Sequence, residues 1–417
     1  MSATSQKPLF RRVKRRSSPY RSLLWIGLTL VVFMVYRGFN EGTLKSPFEP
    51  TPTATRTIQS YEQEGDTFFQ IGNLEAAIQA YLDATRIDAK NVELWTKLAR
   101  IQTYSSASLT TDEQILQRLT DARASIDKAI ELDPESSDAH AVKAFILDWL
   151  ASVYGRQISP AEDPKRMLNE AEAEATRALV LDEQNVQALA FTAEIQVDQQ
   201  KWLQAQQTIN LAAQRDPNSM DVHRINAYVL SSLQEYQAAI DEYKRALELA
   251  PNLTYLYIEI GKIYRYLATS GNWEQSGENF ATALDYFQKA EDKNRALDLK
   301  DPIPYLAKAK TYTQRGDAGD YFLAILEVKK ALNLNPGSNE VFAQLGLVYH
   351  QARNYEGAIE AFRCALEGCT PEQSCVVRGD CEDATRNYTI QPLTLTDSTV
   401  IYYYTYVSVM SALSKPT

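Results

Sequence analysis

Internal repetition at a spacing of 34 residues limits the fold of this chain more than any other feature. The segment 220–253 carries His223, Asn226-Ala227, Leu230, Ala239, Tyr243, Ala246 and Pro251. The preceding segment, 186–219, carries Leu189, Thr192-Ala193, Gln196, Ala205, Ile209, Ala212 and Pro217 at the same offsets. A unit of this length and periodicity holds two amphipathic helices. The small residues Ala193, Ala227, Ala205 and Ala239 fall where paired helices cross closely, and the proline ends the second helix. No such unit buries its apolar face alone, so neighbours must stack. The expected fold class is all-α.

The same offsets recur over 58–370. The first unit has Tyr61, Gly65, Phe68, Gly72, Ala77, Tyr81 and Ala84; the second opens on Trp95, Leu98 and Ala99 and closes on Ala122, Ile126, Ala129 and Pro134. The third runs from His140 and Ala144 to Ala171 and Ala178. The sixth has Tyr257, Gly261, Tyr264, Ala283, Phe287 and Ala290, and the seventh Tyr305, Ala309, Tyr312, Gly316, Ala324, Ala331 and Pro336. The eighth is nearly complete: Phe342, Leu345-Gly346, Tyr349, Ala358, Phe362 and Ala365. Units two, three and six carry extra residues between their helices, near 104–116, 153–166 and 269–278.

This pattern resembles the tetratricopeptide repeat. The resemblance implies a right-handed α-solenoid of about eight helix-turn-helix repeats, whose concave surface, lined by the first helix of each repeat, receives a partner segment. Carrying the offsets over places Arg224 and Tyr228 of repeat five on that groove, with Tyr255, Glu259, Lys262, Arg265 and Tyr266 of repeat six and Lys310 and Gln314 of repeat seven. Such a basic and aromatic patch suits an acidic or aromatic segment through charge and cation–π contacts. Where some family members clamp a C-terminal carboxylate, repeat one carries Glu62 and Asp66, of the opposite charge.

Charge excludes some partners. The net charge of −10 conceals seven basic residues and no acid over 1–21, which leaves the remainder with 36 basic against 53 acidic residues, a net −17. A body this acidic repels phosphate backbones, so no nucleic-acid partner is expected. No Gly-rich phosphate loop, GxSxG or HExxH motif occurs, and the three histidines lack ligand spacing; His140 and His223 fall on a packing position. No catalytic residue, metal, cofactor or small-molecule substrate is expected.

The basic run precedes SLLWIGLTLVVFMVY at 22–36, uncharged until Arg37. Its expected role is a single-pass signal anchor over 22–39, with 1–21 as a cytosolic tail and the body sent across the cell membrane. A cleaved secretory signal is the alternative, although 37–43 offers no small-x-small cleavage site. Residues 40–57, rich in Pro and Thr, read as a linker before the solenoid at 58–370.

All four cysteines, Cys364, Cys369, Cys375 and Cys381, lie near the C-terminus. Their spacing fits zinc poorly and an exported chain with two disulfides better. Cys364 and Cys369 are five residues apart around a helix end, where helical geometry holds their Cα atoms too far apart to bond; the expected pairs are therefore Cys369–Cys375 and Cys364–Cys381, with the crossed Cys364–Cys375 and Cys369–Cys381 as the alternative. Four free thiols are the remaining possibility. On this reading 371–396 is a cysteine-containing loop, and 397–417 an amphipathic capping helix. Two functions follow: an extracytoplasmic scaffold binding proteins or peptides, or an accessory or assembly subunit of a membrane enzyme or secretion complex. Asn252 and Asn387 head formal glycosylation sequons.

Overall fold

The computed structural model describes residues 18–40, 57–158, 160–271, 273–382 and 387–413. The chain divides into two units, Met1–Arg56 and Thr57–Thr417. In the first, a 22-residue helix spans Pro19–Asn40. At 1.5 Å per residue it extends ~33 Å, and its stretch Pro19–Gly38 is long and apolar enough to cross a membrane. The helix runs past both ends of the uncharged stretch because nothing in its flanks breaks it. The basic tail at 1–17 and the linker at 41–56 lie outside the described residues.

The second unit is built of helix pairs. Ile58–Gln70 pairs with Leu74–Ile87, Val92–Ser105 with Asp112–Leu132, Ser137–Tyr154 with Pro164–Leu181, and Val186–Asp198 with Trp202–Arg215. Four more follow: Met220–Ser232 with Tyr236–Leu249, Thr254–Ser270 with Trp273–Ala296, Ile303–Arg315 with Asp320–Leu334, and Asn339–Gln351 with Tyr355–Leu366. Among the described residues the only strand-like feature is an isolated antiparallel bridge between Cys369 and Ile390. The eight pairs are the repeats read from the sequence, stacked as an α-solenoid.

Local chemistry sets each boundary. Asn91, Ser136, Asn185, Ser219 and Ser338 each cap a first helix, the side-chain oxygen accepting from the amide three residues on. The packing position at the start of that helix then closes the turn behind it. The ring nitrogens of Trp95, His140 and His223 and the Tyr257 hydroxyl donate to the carbonyls of Ala89, Pro134, Pro217 and Pro251, each six residues earlier, at 2.8–3.0 Å. His140 and His223 also hold Glu174 and Glu242 through Nδ1, at 2.5 and 2.6 Å. Their role is structural, as their position implied. Where the helices of a pair cross, Gly65 and Gly346 leave room for rings: a Cβ there would lie 2.7 Å from Tyr81 and Phe362.

The insertions differ from the expected loops. In repeat six they lengthen both helices, to 17 and 24 residues. In repeat two, a short 3-10 turn at Ser106–Ser108 leads into a 21-residue second helix. Polar contacts join separate parts of the solenoid. Arg118 holds Glu75, Asn252 Nδ2 donates to the Gln70 carbonyl, and the Asp397 amide donates to the Arg156 carbonyl at 2.8 Å. One turn of the superhelix therefore meets itself.

The cysteine pairing corrects the expectation. Cys364 bonds to Cys369 and Cys375 to Cys381, with Cα separations of 4.7 and 4.8 Å. The helix ends at Leu366, and Gly368 adopts φ +84°, which only glycine takes without strain. The chain thus folds back over Cys364 instead of continuing along the axis, and the geometric objection to that pair disappears. Cys364 is buried in one cluster with Ile390 and Leu393. The region after it is also less irregular than expected, since Pro371–Arg378 forms a helix with a Thr370/Gln373 capping box. The final helix, Val400–Leu413, packs Tyr402 and Tyr406 onto repeat eight, their hydroxyls donating to Glu340 and Glu367 at 2.7 and 2.8 Å.

Candidate functional site: the concave face

The first helices of repeats three to six line a cavity of about 440 Å³. Its lid is the repeat-two insertion, Ser106–Leu109, and its walls include Trp149, Tyr228, Tyr243 and Tyr255. Ser152 and Lys262, both exposed, open it to solvent.

Beside the cavity runs a charge network. Arg224, 5% exposed, grips Glu194 with two bonds of 2.7 Å, and its guanidinium lies over the rings of Tyr104 and Phe145. Asp221 receives Arg100 at 2.5 Å and the Tyr104 hydroxyl, tying repeat five to repeat two. Burial opposes ionisation of Asp221, but Arg100 and Arg224 outweigh it and hold the carboxyl below its usual range. Tyr104 in turn stacks on Tyr255 at 5.8 Å.

Two other carboxyls behave oppositely. Asp148 is 1% exposed, and burial, with Asp198 and Glu194 nearby, pushes it well above the usual carboxylate range. Asp198, which accepts from the Tyr228 hydroxyl at 2.5 Å, is pushed up to about 6 by burial and by Glu194. Asp301, also on the cavity wall, is pushed up to about 6 by burial.

The residues assigned to the groove therefore divide. Arg224, Tyr228, Tyr255, Glu259 and Lys262 line the cavity, where Arg224 and Tyr228 are committed to internal partners. Arg265, Tyr266, Lys310 and Gln314 lie outside its lining. Arg265 rests over Phe287 and donates to the Ala307 carbonyl at 3.2 Å. Lys310 is held below its usual range by partial burial and by the charges of Arg265 and Lys262. These three cations thus form one cluster, with Glu259 bound to Lys262 at 2.6 Å. Tyr266 and Gln314 are exposed, Tyr266 packing beside Tyr236. Sequence reasoning missed Arg100, Tyr104, Asp148, Glu194, Asp198 and Asp221. Acidic residues inside first helices, at Asp148, Glu194 and Asp198, were the available signal. Among the described residues no group of three or more His, Cys, Asp or Glu is arranged to hold a metal.

The comparisons agree with this architecture. A model of the TPR repeat matches residues 65–102, and one of the tetratricopeptide repeat matches 192–253. The chain is a tetratricopeptide-repeat protein, a scaffold of the kind that mediates protein interactions. It is 24% identical to interferon-induced protein with tetratricopeptide repeats 2 of Cricetulus griseus, over 66% of this chain and 56% of that protein. It is 23% identical to a DnaJ homolog subfamily C member 3 homolog of Dictyostelium discoideum, over 68% of this chain and 53% of that one. The chain spans about half the length of these curated relatives. Among solved structures, a human IFIT1 dimer with PPP-AAAA aligns over 74% of this chain and 83% of its own at 16% identity, with a TM-score of 0.43.

Proposed function

We propose that the protein is a membrane-anchored, extracytoplasmic scaffold that holds an acidic segment of a partner protein against Lys262, Arg265 and Lys310. The cation cluster carries this reading. The charges of Lys262 and Arg265 reach Lys310 strongly enough to lower its pKa, and Glu259 pairs with Lys262, in a body that is otherwise strongly acidic. Like charges held together are unfavourable, and an incoming anionic segment relieves that repulsion. Nucleic acid would meet the surrounding negative field, so a protein partner fits better. Anchoring and export are supported by the helix Pro19–Asn40, the seven basic residues before its apolar stretch, and two disulfides in the body.

The test is affinity capture from a detergent extract with wild type and the double variant Lys262→Glu/Lys310→Glu. The wild type retains a partner through an acidic segment, and the variant loses at least ten times as much of it as of total protein. Equal retention by both proteins overturns the assignment of the patch. Capture of a stoichiometric integral-membrane partner through Pro19–Asn40 would instead favour an accessory subunit of a membrane complex. Protease added to intact cells should digest the repeats; a body protected until lysis refutes export.

A further inference from the structure

We infer that the cavity inside the superhelix receives a large aromatic side chain, tryptophan or phenylalanine, carried on the partner segment close to its acidic stretch. The inference rests on the assignment of that stretch to Lys262, Arg265 and Lys310. Two observations join the cavity to those cations. Lys262 belongs to both: it lines the cavity at the exposed mouth, and its charge reaches Lys310. The cavity and the cluster also share two helices. Ile258, Glu259 and Lys262 line the cavity from Thr254–Ser270, and Arg265 follows one turn later. Ile303 lines it from the start of Ile303–Arg315, and Lys310 follows two turns later. Arg265 ties these helices together by donating to the Ala307 carbonyl, one turn before Lys310. A segment lying along the cations therefore passes the cavity mouth.

The wall itself selects an uncharged, ring-bearing group. Its ionic groups answer one another: Arg224 holds Glu194, Lys262 holds Glu259, and Arg156 holds Asp112. Asp198 accepts from the Tyr228 hydroxyl and shares a hydrogen bond with Asp148, while Asp301 accepts from Asn294 and the Ile303 amide. What the cavity offers an incoming group is carbon, from the rings of Trp149, Tyr228, Tyr243 and Tyr255 and from Leu109 and Ile258. An aromatic ring gains edge and face contacts on such a wall, where an aliphatic chain gains burial alone. The volume of about 440 Å³ lies within the ~300–1,000 Å³ of small-ligand sites and has room for the largest side chain. An aromatic anchor in a pocket beside charged contacts is also the usual way a short segment gains affinity.

Helical geometry sets the spacing of the motif. From Lys262 to Arg265 the axis rises about 5 Å, and from Ile303 to Lys310 about 10 Å. An extended segment advances about 3.3 Å per residue, so its acidic residues lie about two or three positions from the aromatic anchor.

Titration calorimetry on the full-length, detergent-solubilised chain tests this with the blocked hexapeptide Trp-Ser-Ser-Asp-Glu-Asp and its reverse, which cover both directions along the groove. The tighter of the two should lose at least tenfold in affinity when its Trp becomes Ala, and at least tenfold when its acids become Asn and Gln. Ser152 is exposed at the mouth. In Ser152→Phe, which plugs that mouth, the Trp peptide should fall to the affinity of the Ala peptide. A readout that needs no variant to fold comes from benzoylphenylalanine in place of the Trp. On irradiation it should crosslink to Ser106–Leu109 or Trp149–Val153 of the wild type, and crosslinks confined elsewhere overturn the cavity site. Equal affinity of the Trp and Ala peptides, with the acids still required, overturns the cavity site and leaves the cation cluster standing. A required Trp with dispensable acids overturns the cluster and leaves the cavity standing. Binding of neither hexapeptide overturns both.

Discussion

Repeats two to five and repeats seven to eight are built from the same helix pair, yet different interactions hold them together. In repeats seven and eight the charged contacts run between adjacent helices. Lys308, 4% exposed, bridges Glu291 and Glu327 on the helices either side of it, and Arg315 holds Asp320 across one turn. The open end is closed by the helix Val400–Leu413 and covalently by the cysteines. In repeats two to five, contacts skip neighbours: Arg100 and Tyr104 reach Asp221, 121 and 117 positions on. A solenoid is ordinarily one-dimensional, each repeat touching only the next. Here the N-terminal part has gained a second dimension through contacts across its groove, and Arg224 and Tyr228, which a family resemblance would assign to binding, are held by internal partners. At repeats six and seven, by contrast, Lys262 and Lys310 are exposed.

The comparison breaks first at Arg224. Arg224→Ala leaves Glu194 buried without its cation, and such a loss costs about 3–5 kcal/mol. Because the network spans repeats two to five, chemical denaturation should destabilise that whole block together. Hydrogen exchange should accelerate in repeats two, four and five and stay unchanged in repeat eight. Acceleration confined to repeats four and five would mean that the cross-groove contacts carry no coupling.

Next in size is a pH effect. Asp301 is 8% exposed, and its carboxyl lies at about 6 in the folded state against an ordinary 3.8. A group raised by folding costs nothing below its unfolded value and its full penalty above the folded one. Stability should therefore fall as pH rises from about 4 to above 6, by up to about 3 kcal/mol for this group. His223 works in the same direction. Its hydrogen bond to Glu242 raises its pKa, so the stability it contributes is lost as pH climbs through that raised value. Asp301→Asn should remove most of the carboxyl's share. The new amide can keep the Ile303 contact, and Asn294, whose Oδ1 lacks a partner, can turn to accept from it. Denaturant midpoints at pH 4.5 and 7.5 decide this: an unchanged pH slope in the variant would show that Asp301 does not carry the penalty.

The pattern of success in reading the sequence follows from distance along the chain. The repeat register was legible because Ala205, Ala239, Gly346 and Phe362 answer to partners within one unit, and 34-residue periodicity reports such contacts directly. His140 and His223 were legible for the same reason. Arg224 and Tyr228 were assigned to an open groove because family offsets specify a helix face, but not what comes to cover it. That cover arrives from Tyr104 and the insertion at Ser106–Leu109, and no periodicity connects position 104 with position 221. The insertions were visible; the superhelical turn that brings them against repeats five and six was not. The cysteine pairing failed over a shorter distance. A single left-handed residue, Gly368, reverses the chain between Cys364 and Cys369, and the spacing alone did not reveal that the helix had already stopped.

The smallest effect expected concerns those cysteines and sharpens the contrast between the two regions. Each disulfide closes a loop of only six or seven residues, and loop-closure entropy for so short a ring amounts to about 2 kcal/mol. The two should not contribute alike. Cys364–Cys369 packs with Ile390 and Leu393, at the point where Ile390 bridges to Cys369, and so fixes the segment that leads to the capping helix. Cys375–Cys381 ties the end of a short helix to a more exposed stretch. Cys364→Ala/Cys369→Ala should therefore increase exchange throughout Val400–Leu413 as well as around Ile390. Cys375→Ser/Cys381→Ser should affect little beyond Pro371–Arg378. Neither should alter exchange at Arg224 or Asp221, because repeats two to five are held by their own cross-groove ion pairs. A loss of protection there in either double variant would mean that the contact of the Asp397 amide with the Arg156 carbonyl transmits the C-terminal closure into the network, and the two regions would then have to be treated as one.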